Sequence, residues 1–102
     1  MMSQFVKVAH CAEVAEGSGK VVEVSGRKIA LFHAGGRFFA VANECLHRGA
    51  PLGEGTVYGT RVICPLHGWE YDLATGGNVH DPSLKLRCFA VKVAEGDLLV
   101  EV

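Results

Sequence analysis

Lys28-Ile29-Ala30-Leu31-Phe32-His33-Ala34-Gly35-Gly36-Arg37-Phe38-Phe39-Ala40-Val41-Ala42 reads as two strands joined by a two-residue turn. Its arms are rich in aliphatic and aromatic side chains, and a Gly pair between such runs supplies the positive backbone angles of a tight hairpin. The same grammar extends outward in both directions. On the N-terminal side, Phe5 to Ala9 and Lys20 to Ser25 are further strands, the second turning at Ser25-Gly26. On the C-terminal side, Leu84 to Val93 and Asp97 to Val102 are joined through Glu95-Gly96. In Leu84 to Val93 the apolar set runs Leu84, Leu86, Cys88 and then changes phase to Phe89, Val91, Val93, as a bulge or barrel corner requires; this reading puts Cys88 in the core. No segment sustains a 3.6-residue period, although Ala9 to Glu16 suits a turn or so of helix before the Gly17-Ser18-Gly19 loop. The expected architecture is all-β, an antiparallel sandwich or barrel.

The chain has 102 residues, which argues for one domain spanning 1–102. Ten Lys and Arg against 11 Asp and Glu leave a formal charge of -1. That balance provides no basic stripe for nucleic acid and no polybasic end for anionic lipid. The opening Met-Met-Ser-Gln-Phe-Val-Lys lacks the charged and apolar regions of an export signal, and no stretch approaches a membrane span. The protein therefore reads as cytoplasmic, where its four cysteines, Cys11, Cys45, Cys64 and Cys88, are more suited to metal ligation or burial than to disulfides.

Between about Asn43 and Pro82 the texture changes. Gly and Pro are frequent, alternation is lost, and Cys45, His47, Cys64, His67 and His80 gather there. Two stretches stand out, Cys45-Leu46-His47-Arg48-Gly49 and Cys64-Pro65-Leu66-His67-Gly68-Trp69, with 16 residues between His47 and Cys64. Each offers one thiolate and one imidazole. Such closely spaced ligands converge only where the backbone turns sharply, which Gly49 and Gly68 permit and Pro65 stiffens. A structural zinc site is one use of two Cys and two His, but zinc fingers usually group Cys with Cys and His with His. Mixed loops suit a binuclear centre in which both thiolates serve one iron and both imidazoles the other. His10, His33 and His80 read as surface or turn residues, and Gly53-Glu54-Gly55 lacks the strand-to-helix setting of a phosphate loop.

The pattern C-x-H-x16-C-P-x-H-G resembles the signature of the Rieske [2Fe-2S] family. The resemblance implies a Rieske-type β-sandwich or barrel with a small cluster-binding subdomain, about 43–82, inserted between strands. It implies one [2Fe-2S] cluster per chain, held by Cys45 and Cys64 on the inner iron and by His47 and His67 on the outer. Arg48, Gly49, Leu66, Gly68 and Trp69 would surround it. Tyr71 stands where a hydroxyl bonds a ligand sulfur, and Asp81-Pro82-Ser83 resembles the proline loop that covers the cluster, Pro82 being its covering residue. Two ferric ions, two sulfides and two thiolates cancel, so reduction leaves a single negative charge; this lifts the potential above that of four-thiolate clusters.

Respiratory Rieske proteins, which are similar in motif, carry a disulfide between the loops and a serine near the cluster; Ala50, Leu66 and Trp69 occupy those slots here. A potential near the bottom of the family range, about -150 mV, is expected. The implied function is one-electron carriage from an NAD(P)H-dependent flavoprotein ferredoxin reductase to a terminal oxygenase, often a dioxygenase, with no catalytic residue. Docking would use His47, His67 and an apolar collar of Leu46, Leu66, Gly68, Trp69 and Pro82, with the free carrier a monomer. The alternatives are the Rieske small subunit of an assimilatory nitrite reductase, bound to its large subunit, and a zinc-stabilised interaction module.

Overall fold

The structure, a computed structural model, describes residues 4–46, 49–66 and 68–102. The strands are β1 Phe5–His10, β2 Ser18–Val24, β3 Arg27–Ala34, β4 Arg37–Ala42, β5 Thr56–Tyr58, β6 Arg61–Ile63, β7 Glu70–Asp72, β8 Cys88–Phe89, β9 Val91–Ala94 and β10 Asp97–Glu101. They form three antiparallel sheets ordered β1-β10-β9, β2-β3-β4-β8 and β5-β6-β7. The all-β expectation holds. Ser25-Gly26, Gly35-Gly36 and Glu95-Gly96 each have positive φ at both positions, the geometry that matches the twist of a two-residue hairpin. Among the described residues, no helix is long and apolar enough to cross a membrane.

The four-stranded sheet is the middle layer. Ile29, Ala30, Leu31 and Phe32 of β3 are all essentially inaccessible. Alternate side chains of a strand face opposite sides. Ala30, Phe32 and Ala34 accordingly join Leu52, Val62, Leu73 and Leu86 in one apolar cluster. Ile29 and Leu31 join Phe89, Leu98 and Val100 in the other. Burial on both faces explains why this strand lacks polar alternation.

After β8 the chain changes sheets. Ala40 and Val41 pair with Phe89 and Cys88, whereas β9 pairs with β10. The expected corner is present, but its phase differs from the sequence reading. Leu86 and Phe89 are buried while Cys88 is exposed. The inward set therefore steps over three residues, and Cys88 falls on the outward side instead of in the core. Val93, at 53% exposed, and Leu84, at 37%, also lie outside it.

One further expectation is met and another needs correction. The helical turn within Ala9 to Glu16 is a single 3-10 turn, Cys11–Glu13, closed by the Glu13 carboxylate accepting from His10 N–H at 2.7 Å. That bond holds the Glu13 carboxyl below its ordinary pKa. His33 is not a free surface residue. It lies on β3, with Nδ1 2.9 Å from the Val14 carbonyl oxygen and its ring stacked on Phe38 at 4.0 Å. Because a carbonyl only accepts, Nδ1 carries the proton there.

Between β4 and β8 lie the 3-10 turn Leu52–Glu54 and the sheet β5-β6-β7, strands that fall within the stretch where the sequence shows no alternation. Asn43, 4% exposed, fixes this segment to the middle sheet. Its N–H donates to Lys28 at 3.1 Å and its carbonyl accepts from Leu52 at 2.7 Å. Its Oδ1 accepts from Gly53 at 2.9 Å. A Cβ at Gly53 would overlap the Val21 side chain, so Gly53-Glu54-Gly55 is a close-packing element.

Candidate metal centre

The two Cys-bearing loops close in the same way. Cys45 N–H donates to Ala50 at 2.9 Å, and Cys64 N–H donates to Trp69 at 2.7 Å. Gly49 N–H returns to Cys45 at 2.7 Å, and Gly68 N–H to Cys64 at 3.2 Å. Outside each loop the next pair is bridged, Glu44 with Pro51 and Ile63 with Glu70. Gly49 and Gly68 have φ of 70° and 72°, a region in which a side chain strains the backbone. Two sequence stretches that match, position for position, only at a Cys and at a Gly four residues later thus close with the same backbone bonds.

Cys45 and Cys64 are 2% and 3% exposed and belong to the same apolar cluster as Ala50, Leu52, Val62 and Tyr71. All four cysteines are free thiols. His47, Arg48 and His67 lie outside the described residues. Buried, unbridged thiols among aliphatic walls fit a soft metal centre, and the two loops supply imidazoles beside them in sequence.

Tyr71, on β7, is fully buried. Its hydroxyl accepts from Leu46 N–H at 3.2 Å and lies 3.3 Å from Cys45 Sγ. Since the amide can only donate, the phenol's own proton is available to the sulfur. Burial first, and then the neighbouring sulfur, push the phenol's pKa up to about 12, so it stays a donor at neutral pH. Such a bond favours the more negative, reduced state of a sulfur-ligated centre. Removing it in Tyr71→Phe is expected to lower the midpoint potential by up to roughly 65–130 mV, because a one-electron couple shifts by 59 mV for each tenfold change and a hydrogen bond to a charged group is worth about 1.5–3 kcal/mol. Potentiometric titration of both proteins checks this; an unchanged midpoint would remove Tyr71 from the tuning of the site.

The remaining sequence candidates are arranged around these loops. Trp69 is half-buried and packs on the apolar cluster. Leu46 and Leu66 are 48% and 61% exposed; Gly49, Gly68 and Pro82 are exposed as well. A cleft of about 350 Å³ lies beside them, lined by Trp69, Asn78, His80, Asp81 and Leu84. His80 is exposed. Sequence reasoning missed Asn43 and Asn78, the two buried polar side chains among the described residues. Their bonds run to backbone groups, which leave no residue-type signature.

The sequence of the Rieske [2Fe-2S] domain family matches residues 4–90. The ferredoxin component of the naphthalene 1,2-dioxygenase/salicylate 5-hydroxylase systems of Ralstonia sp. is 31% identical over 94 residues, covering 91% of this chain and 90% of that protein. The ferredoxin of carbazole 1,9a-dioxygenase from Nocardioides aromaticivorans IC177 superposes with a TM-score of 0.87 at 27% identity, covering 95% and 96% of the two chains. A complex of reduced oxygenase and oxidised ferredoxin in carbazole 1,9a-dioxygenase contains a chain with TM-score 0.85 and 32% identity, covering 94% of this chain and 91% of that one. With the matched loops, the free buried thiols and these likenesses together, this chain belongs to the Rieske [2Fe-2S] domain family.

Proposed function

We propose that the chain is a ferredoxin that carries one electron at a time from an NAD(P)H-dependent flavoprotein reductase to a terminal oxygenase, and that it is an electron-transfer protein without a catalytic residue of its own. The observation that carries this reading is the pair of identically closed loops, each burying a free cysteine. When bound, the [2Fe-2S] cluster supplies reversible one-electron chemistry. Cys45, Cys64, His47 and His67 would hold it, with residues 43–82 forming the cluster-binding part of one Rieske domain. The oxygenase partner is supported by the similarity to a ferredoxin solved in complex with one, and a cytoplasmic place by the free thiols.

The chain's residues divide the work. The apolar walls keep water from the inner thiolates, and Tyr71 donates to one of them. Leu46 and Leu66, which precede His47 and His67 in the sequence, present exposed apolar surface, a chemistry that suits a brief redox encounter burying less than about 1,200 Å².

The test is the reduced protein's electron paramagnetic resonance spectrum together with its midpoint potential. A Rieske-type signal and a midpoint near about -150 mV are expected. A colourless, zinc-loaded chain would overturn the reading, and a midpoint above about +100 mV would overturn the low-potential assignment.

A further inference from the structure

The two loops of the metal centre rest on different bases. Beneath Cys64 the chain runs on into a regular hairpin, with Ile63 paired to Glu70, Val62 to Tyr71 and Arg61 to Asp72. Beneath Cys45 the ladder is much shorter. Glu44 is bridged to Pro51, and Leu52 N–H donates to the Asn43 carbonyl at 2.7 Å. Residues that face each other in a hydrogen-bonded antiparallel pair exchange two bonds, but Asn43 N–H goes instead to Lys28 on β3, at 3.1 Å. Ala42, one residue earlier, is committed to the middle sheet as well, paired with Ile29 and donating to Arg87 at 2.8 Å.

The Asn43 side chain supplies the rung that the backbone does not. It is 4% exposed, and its Oδ1 accepts at 2.9 Å from the N–H of Gly53, the residue after Leu52. Gly53 is itself buried and pressed against Val21 of β2. A buried amide that loses its acceptor carries the full cost of its desolvation. Cys45 is the next rung of the same short ladder, its N–H donating to Ala50 at 2.9 Å and its carbonyl accepting from Gly49 at 2.7 Å.

We propose that Asn43 is a positioning residue for the metal centre: its carboxamide closes the base of the first loop and so holds the Cys45 backbone, and with it the sulfur, in one place. The second loop has three strand pairs beneath it for the same task. An alanine at position 43 leaves the Gly53 amide without its acceptor and the first loop on its backbone bonds alone. An aspartate keeps an oxygen at the same reach from the backbone. Loss of this one side chain therefore loosens one half of the ligand set and leaves the other half on its hairpin.

The inference rests on the carrier reading, in which Cys45 is a ligand; a wild-type protein without a Rieske spectrum would overturn that reading, whereas the variants test Asn43. The experiment compares wild type, Asn43→Ala, Asn43→Asp and Gly96→Ala. Gly96 lies in the β9–β10 turn at φ +80°, with nothing within 4 Å of an added carbon, so its alanine variant weakens the fold away from the loops. Three quantities are read: bleaching of the cluster's visible absorbance in excess EDTA, amide hydrogen exchange at Gly53, and thermal melting by circular dichroism. In Asn43→Ala, at a temperature where the fold is intact, bleaching and Gly53 exchange are both expected to be at least about tenfold faster than in wild type. Asn43→Asp is expected to stay within about threefold of wild type in both, because a carboxylate also accepts from the amide. Gly96→Ala is expected to melt at a lower temperature while bleaching at the wild-type rate. Wild-type bleaching in a folded Asn43→Ala protein, accelerated bleaching in Gly96→Ala, or accelerated bleaching in Asn43→Asp would each overturn the proposal, the last even if the alanine variant fails to fold.

Discussion

Replacing Cys64 with serine is expected to yield a chain with almost no iron and no Rieske spectrum, while Cys11→Ser and Cys88→Ser keep about two irons per chain and the wild-type signal. The contrast follows from where the four thiols sit. Cys45 and Cys64 are buried at the base of the matched loops. Cys11 is half-buried in a 3-10 turn, and Cys88 is exposed on the outward side of β8. A hydroxyl is a poor ligand for a soft iron–sulfur centre. The substitution leaves the backbone bonds that shape the loop, Cys64 with Trp69 and Gly68 with Cys64, available to the serine. Iron analysis beside circular dichroism separates loss of the metal from loss of the fold. Retention of the signal in Cys64→Ser, or its loss in Cys88→Ser, would reverse the assignment of ligands.

Gly76→Ala is expected to destabilise the protein by at least about 2 kcal/mol, seen as a lower denaturant midpoint with an unchanged slope. Two costs combine there. Gly76 has φ +79°, and a Cβ would come within 2.6 Å of the Leu86 carbonyl oxygen and 2.7 Å of Cys88 Sγ. The sulfur has some room to move; the carbonyl does not, since Leu86 N–H is itself bonded to Gly76 at 2.8 Å. Gly26 supplies the control. Its φ is +78° but nothing lies within 4 Å of the added carbon, so Gly26→Ala carries the conformational cost alone, about 1 kcal/mol. Equal losses at the two positions would show that crowding by Leu86 contributes nothing.

Much of the platform was legible because its hairpins are punctuated. The turns at Ser25-Gly26, Gly35-Gly36 and Glu95-Gly96 delimit β2, β3, β4 and β10 with errors of only a few residues, whereas the strand expected from Leu84 to Val93 is β8 and β9 with Leu84 to Arg87 outside both. The strands β5, β6 and β7 were not legible, because each spans three residues, too few for alternation to emerge from Gly-rich surroundings. Cys88 was misplaced for a related reason. Strand β8 has two residues, and a change of phase within so short an element can be assigned to either side of it.

The site divides in the same manner. Ligand spacing is a property of residue types and pointed directly to Cys45, His47, Cys64 and His67. What shapes the pocket is a property of the backbone: the duplicated closure of the loops, the clamp of Asn43 on Gly53, and the hold of Asn78 on His80 and Asp81. Tyr71 fell between the two, suggested by its place after the second loop and given its role by the Leu46 amide that orients its proton.

The segment between β4 and β8 leaves and re-enters the platform through neighbouring strands, with Ala42 N–H donating to Arg87 at 2.8 Å. Its two ends are therefore already joined, as the ends of a removable cassette would be. Chain closure costs little extra when the ends of an inserted stretch are held side by side, and its cost grows only slowly with length. The cassette can thus be lengthened or rebuilt without disturbing the sheets, provided that the Asn43 and Gly53 contacts which seat it on β2 and β3 are carried with it.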